Sequence, residues 1–230
     1  EAMSGTSMAA PHVAGLAALV RQYRPELSAL DVKSAILTSS SSIALKGVAY
    51  PVSAQGAGRV DALRAAQAKI LTQPAALSFG ELQLDQAKVW KSRIQVKNIS
   101  QQPLTITPRA EIEHGLTISG LKVMEVAPGT DQILEFTVEA RWPEGAPSLM
   151  EMDGALILTY EGGVTRIPVL ALARRVTTIK TTTAKVLVGS AVEADGALAK
   201  LKIENSSQAS GVAEIFQLIG EDGRQQPSLT

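Results

Sequence analysis

Between about residues 74 and 173, apolar side chains fall on every second position, and no other feature limits the possible folds so strongly. Trp90, Ile94 and Val96 alternate with Lys91, Arg93, Gln95 and Lys97, and Leu134, Phe136, Val138 and Ala140 form a second stripe. Successive side chains on a strand point to opposite faces, so each stripe predicts a half-buried strand with one solvated face. The run Ala127-Pro128-Gly129-Thr130-Asp131 predicts a turn before the second stripe. Glu161-Gly162-Gly163 separates two further apolar runs, residues 156–160 and 164–172, which together read as a hairpin.

Short strands at this spacing over about 100 residues predict an all-β sandwich of immunoglobulin or fibronectin-III type. The residues before it follow another period. Residues 1–72 read as mainly helical. Residues 8–24 are apolar on every face, so a helix there is expected to be buried in a larger body. Arg24-Pro25 ends it. Ser28 is a plausible N-cap for a second helix over residues 29–37, with Asp31 in its first turn. The serine tract at 39–42 breaks that pattern. A turn at Gly56-Ala57-Gly58 leads into a short helix expected over residues 60–69. Beyond residue 176 the chain is strand-like again at 185–188, 199–203 and 213–218, with turns at Asn205-Ser206-Ser207 and Glu221-Asp222-Gly223. Val96-Lys97-Asn98-Ile99-Ser100 and Ile203-Glu204-Asn205-Ser206-Ser207 both run a strand end into Asn-x-Ser, which suggests a second, incomplete sandwich. Three domains are therefore expected, at 1–72, 74–175 and 176–230.

Composition narrows the function classes. Lys plus Arg and Asp plus Glu balance at 22 each in 230 residues, and no basic stripe is interleaved with aromatics. Nucleic acid is not an expected partner. There is no cysteine, which excludes disulfides, thiolate metal sites and a cysteine nucleophile. The most apolar run, residues 8–20, is shorter than the about 20 residues needed to span a bilayer. Asp153-Gly154, Asp195-Gly196 and Asp222-Gly223 read as isolated turn dipeptides rather than spaced calcium ligands. Asn98-Ile99-Ser100 and Asn205-Ser206-Ser207 fit the glycosylation pattern but read as turns. Arg174-Arg175 reads as a solvated linker, with a processing site as the alternative.

The stretch Gly5 to Gly15, GTSMAAPHVAG, carries the chemistry. A serine in the first turn of an apolar helix stands where unpaired N–H groups and the helix dipole favour negative charge. Such a serine suits nucleophilic attack, because its own N–H can hold the oxyanion that forms. Gly5 permits a tight turn, and Pro11 is tolerated close to a helix start. An N-cap serine on a buried helix explains the same residue types.

The whole string closely resembles the nucleophile motif of the subtilisin-like serine peptidases. Residues 25–38, PELSALDVKSAILT, resemble that family's next helix, and residues 56–66, GAGRVDALRAA, resemble the segment that closes its catalytic domain. The resemblance implies an α/β subtilisin-like catalytic domain of which residues 1–72 are the C-terminal, mainly helical portion. It implies that Ser7 is the acylated nucleophile, with its backbone N–H in the oxyanion hole. Gly5, Thr6, Pro11, His12 and Gly15 would be structural members of the motif. It also implies serine endopeptidase activity on protein or peptide substrates and an extracellular or cell-envelope location. No cofactor or metal site is read here, and calcium in the parent enzyme is left open.

A serine hydroxyl needs a base. His12 lies five residues beyond Ser7, so on a helix it points about 140° away and roughly 7.5 Å along the axis. His114, in Glu113-His114-Gly115, reads as a turn residue. The family order places Asp and His before Ser, so both, with the oxyanion asparagine, are expected upstream of Glu1. The chain alone is expected to be inactive. A non-catalytic β-sandwich binding or spacer protein carrying a peptidase relic is the alternative, and an enzyme completed by a second chain is a third reading.

Overall fold

The computed structural model describes residues 5–84, 86–147, 149–175, 187–188 and 199–200. The chain divides into two compact units, Glu1–Arg175 and Val176–Thr230. The first begins with helices α1 (Thr6–Tyr23) and α2 (Ala29–Ser39), strands β1 (Ala44–Leu45) and β2 (Val48–Ala49), and short helices α3 (Val52–Gln55) and α4 (Ala62–Ala66). Strands β3 (Ile70–Gln73), β4 (Leu77–Leu84), β5 (Lys88–Asn98), β6 (Leu104–Ile112) and β7 (Leu116–Ser119) follow. The unit closes with β8 (Met124–Val126), β9 (Asp131–Ala140), β10 (Leu149–Tyr160) and β11 (Gly163–Arg175).

These later strands form a two-sheet sandwich, ordered β3-β5-β9-β7 in one sheet and β4-β11-β10-β6-β8 in the other. Neighbours are antiparallel except β4 and β11, which run parallel. Both alternating stripes point inward as the sequence predicts. Ile94, Val96, Leu134, Phe136, Val138 and Ala140 are buried in one core with Leu104, Ile106, Leu156, Leu158 and Ile167 of the facing sheet. Trp90 lies at the margin of this core, edge-on to Phe79 with ring centroids 5.2 Å apart. Tyr160 pairs with Gly163, so Glu161-Gly162 is a two-residue hairpin loop, with Gly162 at φ 78°.

The expectation of an α/β, mainly helical catalytic fragment preceding the sandwich is incorrect: strands dominate the described residues, and the helical segment itself ends in a strand of the sandwich. Ile70 enters the sandwich core, while its neighbour Leu71 enters a second, smaller core with Leu16, Val20, Leu27, Val32, Ala35, Ile36 and Ala65. Period-two geometry lets the four residues of β3 serve both cores at once. On β3, Thr72 donates its backbone N–H to the buried Ser34 Oγ of α2 at 2.8 Å, so α2 covers that edge of the sheet. Helices α2 and α3 also lie against β11. Ala155 and Ile157, on the face of β10 away from the sandwich core, are therefore buried. Four successive buried residues, 155–158, result, a pattern typical of a strand covered on both faces.

Local chemistry accounts for the helix ends. Ser28 caps α2 through a capping box: its Oγ accepts the Asp31 N–H at 3.2 Å, and Asp31 Oδ2 accepts the Ser28 N–H at 3.1 Å. Helix α4 is shorter than expected because Asp61 caps it, accepting the Arg64 N–H at 2.9 Å, and the chain is already strand at Ile70. The β1–β2 hairpin, with no sequence signal, is closed by the Gln55 amide, which accepts the Ile43 N–H at 2.7 Å and donates to Tyr50 O.

Two dipeptides are strand rather than turn or linker. Asp153-Gly154 lies inside β10, where a Cβ on Gly154 would stand 2.2 Å from Glu111 O of β6. Arg174-Arg175 ends β11, and Arg174 Nε donates to Glu81 Oε1 at 3.0 Å.

In the second unit, β12 (Leu187–Val188) pairs antiparallel with β13 (Ala199–Lys200). The strand expected at 213–218, the turns at 205–207 and 221–223, and Asp195-Gly196 lie outside the described residues.

Candidate active site

Ser7 is the second residue of α1, and Gly5 is the N-cap. Gly5 sits at φ 150°, ψ 167°, a region essentially closed to residues with a Cβ. Its carbonyl accepts the N–H groups of Met8 at 3.0 Å and Ala9 at 3.1 Å, which closes the first turn. The helix has no side-chain cap, so Ser7 is not the N-cap serine of the alternative reading. Its side chain is exposed, and among the described residues neither its hydroxyl nor its N–H has a partner. An exposed hydroxyl and an open N–H at the positive end of an 18-residue helix are what an oxyanion-forming nucleophile needs.

The neighbours divide by role. Pro11 is inside the helix, which nevertheless continues unbroken to Tyr23. His12 Nδ1 lies 2.6 Å from Met8 O, one turn back on its own helix, so its Nδ1–H donates to that carbonyl. The ring is thus committed to the helix backbone. His114 stands in the turn before β7 at φ 62°, and its ring lies 3.8 Å from Glu113. The structure brings neither histidine to Ser7.

The described residues cover helix α1 only in part. Only Leu16 and Val20 are buried, while Val13, Leu19 and Tyr23 are exposed. A Cβ on Gly15 would meet nothing within 4 Å. The described residues cover one stripe of a helix whose sequence is apolar all round. Leu19, Val20 and Tyr23 line an apolar groove of about 680 Å³ with Ala62, Leu63 and Ala66 of α4.

Sequence reasoning missed the polar contacts that tie this segment to the sandwich. Asp153 Oδ2 accepts the Val52 N–H at 2.6 Å, across 101 residues of chain. Arg64 donates to Val164 O of β11 at 3.5 Å, and Lys97 Nζ lies 4.0 Å from Asp31 Oδ2. Burial holds the Arg166 guanidinium below its ordinary pKa, opposed by the nearby Asp153 charge. Asp-Gly as a turn signal hid the first of these contacts. The Asn98 amide is likewise buried and committed: Nδ2 donates to Gln102 O at 2.8 Å and Val126 O at 2.9 Å, and Oδ1 accepts from Ser100 N at 2.9 Å and Ser100 Oγ at 2.7 Å. It organises a turn and offers no free nitrogen for a sugar.

Comparison with known proteins agrees with the motif. The Subtilase family model matches residues 1–59. Minor extracellular protease Vpr of Bacillus subtilis (strain 168) is 40% identical over 79 residues, covering 33% of this chain and 10% of that protein. Subtilisin-like protease SBT4.3 of Arabidopsis thaliana is 44% identical over 63 residues, covering 27% of this chain and 9% of that protein. The chain thus spans about a tenth of the length of the curated relatives it matches. Among solved structures, the ASH / PapD-like domain of human CEP192 aligns with a TM-score of 0.33 and 7% identity, over 47% of this chain and 85% of that one.

Proposed function

We propose that residues 1–59, a segment of the subtilase family, supply the nucleophile of a serine endopeptidase, and that Ser7 is that nucleophile. The observation that carries this reading is the position of Ser7: exposed at the second residue of α1, behind a glycine N-cap, within GTSMAAPHVAG. In the reaction proposed, the Ser7 hydroxyl attacks a peptide carbonyl, the developing oxyanion is held by the Ser7 N–H, and the acyl-enzyme is then hydrolysed. His12 serves the helix backbone and His114 a distant turn, so the base must come from outside residues 1–230. Gly5 sets the entry of the chain into α1, and Thr6, Pro11 and Gly15 complete the motif without touching the reacting atoms. The substrates are proteins or peptides. An extracellular or envelope location is favoured by the likeness to Vpr, a protease named as extracellular. No helix among the described residues is long and apolar enough to cross a membrane.

The chain by itself is inactive on this reading. Its purified form should release no product from a peptide substrate above the level of Ser7→Ala. Turnover that disappears in Ser7→Ala would show that the 230 residues already contain a working base.

A further inference from the structure

The contact between Asp153 and Val52 joins a surface of the sandwich to the segment behind the serine helix. Asp153 and Ile157 lie on one face of β10, and Arg166, which pairs with Ile157, lies on the same face of β11. That face looks away from the sandwich core, and α3 lies against it. Asp153 Oδ2 holds the first N–H of α3 at 2.6 Å. The next links are short and rigid. Gly56 N–H donates to Val52 O at 2.7 Å, and Gly58 N–H to Gln55 O at 3.0 Å. Arg59 then pairs with Ser41 just beyond α2 through two backbone bonds of 2.8 and 2.9 Å. Gly58, at φ 105°, is pressed there so closely that a Cβ would lie 2.2 Å from Ser41 O. Two residues on, Asp61 caps α4, whose Ala65 shares the small core with Leu16 and Val20 of α1.

We propose that Asp153 is a positioning residue, and that the outer face of the sandwich is an intramolecular platform fixing residues 51–61, and through α4 the helix that carries Ser7. This gives the sandwich a role other than ligand binding: its β10–β11 face is occupied by the chain's own helical segment. The name given to what is positioned rests on the reading of Ser7 as nucleophile, but the mechanical coupling does not.

Hydrogen–deuterium exchange on the full 230-residue chain tests the coupling without recourse to turnover. Asp153→Ala removes the acceptor, and Asp153→Asn restores an acceptor oxygen without the charge. Val52→Pro removes the donor without altering any residue of the sandwich. Proline suits this first helical position, because Pro51 before it already has ψ 152°. Asp153→Ala and Val52→Pro should each speed exchange at least tenfold in peptides from residues 51–66 and in the second half of α1. Strands β5 and β9, in the opposite sheet, should be unchanged, and Asp153→Asn should return α1 to within threefold of the parent chain. Faster exchange confined to residues 51–56 would reduce Asp153 to a local cap and overturn the proposal. A uniform rise that includes β5 and β9 would overturn it as well. If Asp153→Ala does not fold, Val52→Pro decides by the same criteria.

Discussion

At the scale of single residues, buried polar side chains hold turns and strand ends in place through several hydrogen bonds each. Asn98 is the clearest case. Its amide, fully buried, makes four hydrogen bonds that join the end of β5 to the turns at 100–102 and 126–130. Asn98→Ala would take a donor from the buried Val126 carbonyl and the acceptor from the half-buried Ser100 N–H, and would leave a gap where the buried amide stood, so a loss of about 3 kcal/mol is expected. Urea unfolding followed by tryptophan fluorescence checks this; a loss below about 1 kcal/mol would mean that water replaces the amide. The residues Asn-Ile-Ser were legible as a turn, because three of the four bonds reach only Ser100 and Gln102, but burial of the asparagine was not, because the fourth, to Val126 O, spans 28 residues. Ser28 and Asp31 were legible, since a capping box is local. Asp153 was misread for the opposite reason: its partner, Val52, is 101 residues away.

Among elements, α1 and β3 show where pattern reading succeeds and where it stops. The all-apolar helix is expected to be buried in a larger body, and the described residues cover only the stripe holding Leu16 and Val20. Leu16→Lys should therefore detach α1 from the small core, while Leu19→Lys, at a side chain 60% exposed, should change stability by no more than about 0.5 kcal/mol. Helical circular dichroism and thermal unfolding of the two variants separate these outcomes, and equal damage from both would mean that the Leu19 face is covered after all. Strand β3 was not anticipated, because four residues are too few to show a period. Its two-faced role also explains why the expected boundary at residue 72 falls inside an element that belongs to both cores. The long stripes of β5 and β9 were read correctly because they repeat over many residues with one face solvated.

For the whole molecule, the helical segment and the sandwich share β3 and the outer face of β10 and β11. A chain starting at Lys69 keeps β3, whereas one starting at Ala76 loses Ile70 from the sandwich core and an edge strand from its sheet. The longer form should be the more stable by about 2 kcal/mol or more in urea unfolding, and equal midpoints would show that β3 serves only the helical core. The fold of the sandwich was legible from period two. The attachment was not, because it depends on a backbone N–H, a carboxylate and small buried side chains with no period of their own. The candidate nucleophile was legible only because eleven consecutive residues form a specific string; its chemistry needs partners that the described residues do not bring to it. The most direct measurement is therefore fluorophosphonate labelling followed by peptide mapping, on the 230-residue chain alone and within its complete open reading frame. The account predicts no adduct on the chain alone, and in the complete protein a single adduct on Ser7 that Ser7→Ala abolishes. An adduct on Ser7 in the chain alone, or on a different serine in the complete protein, would contradict it.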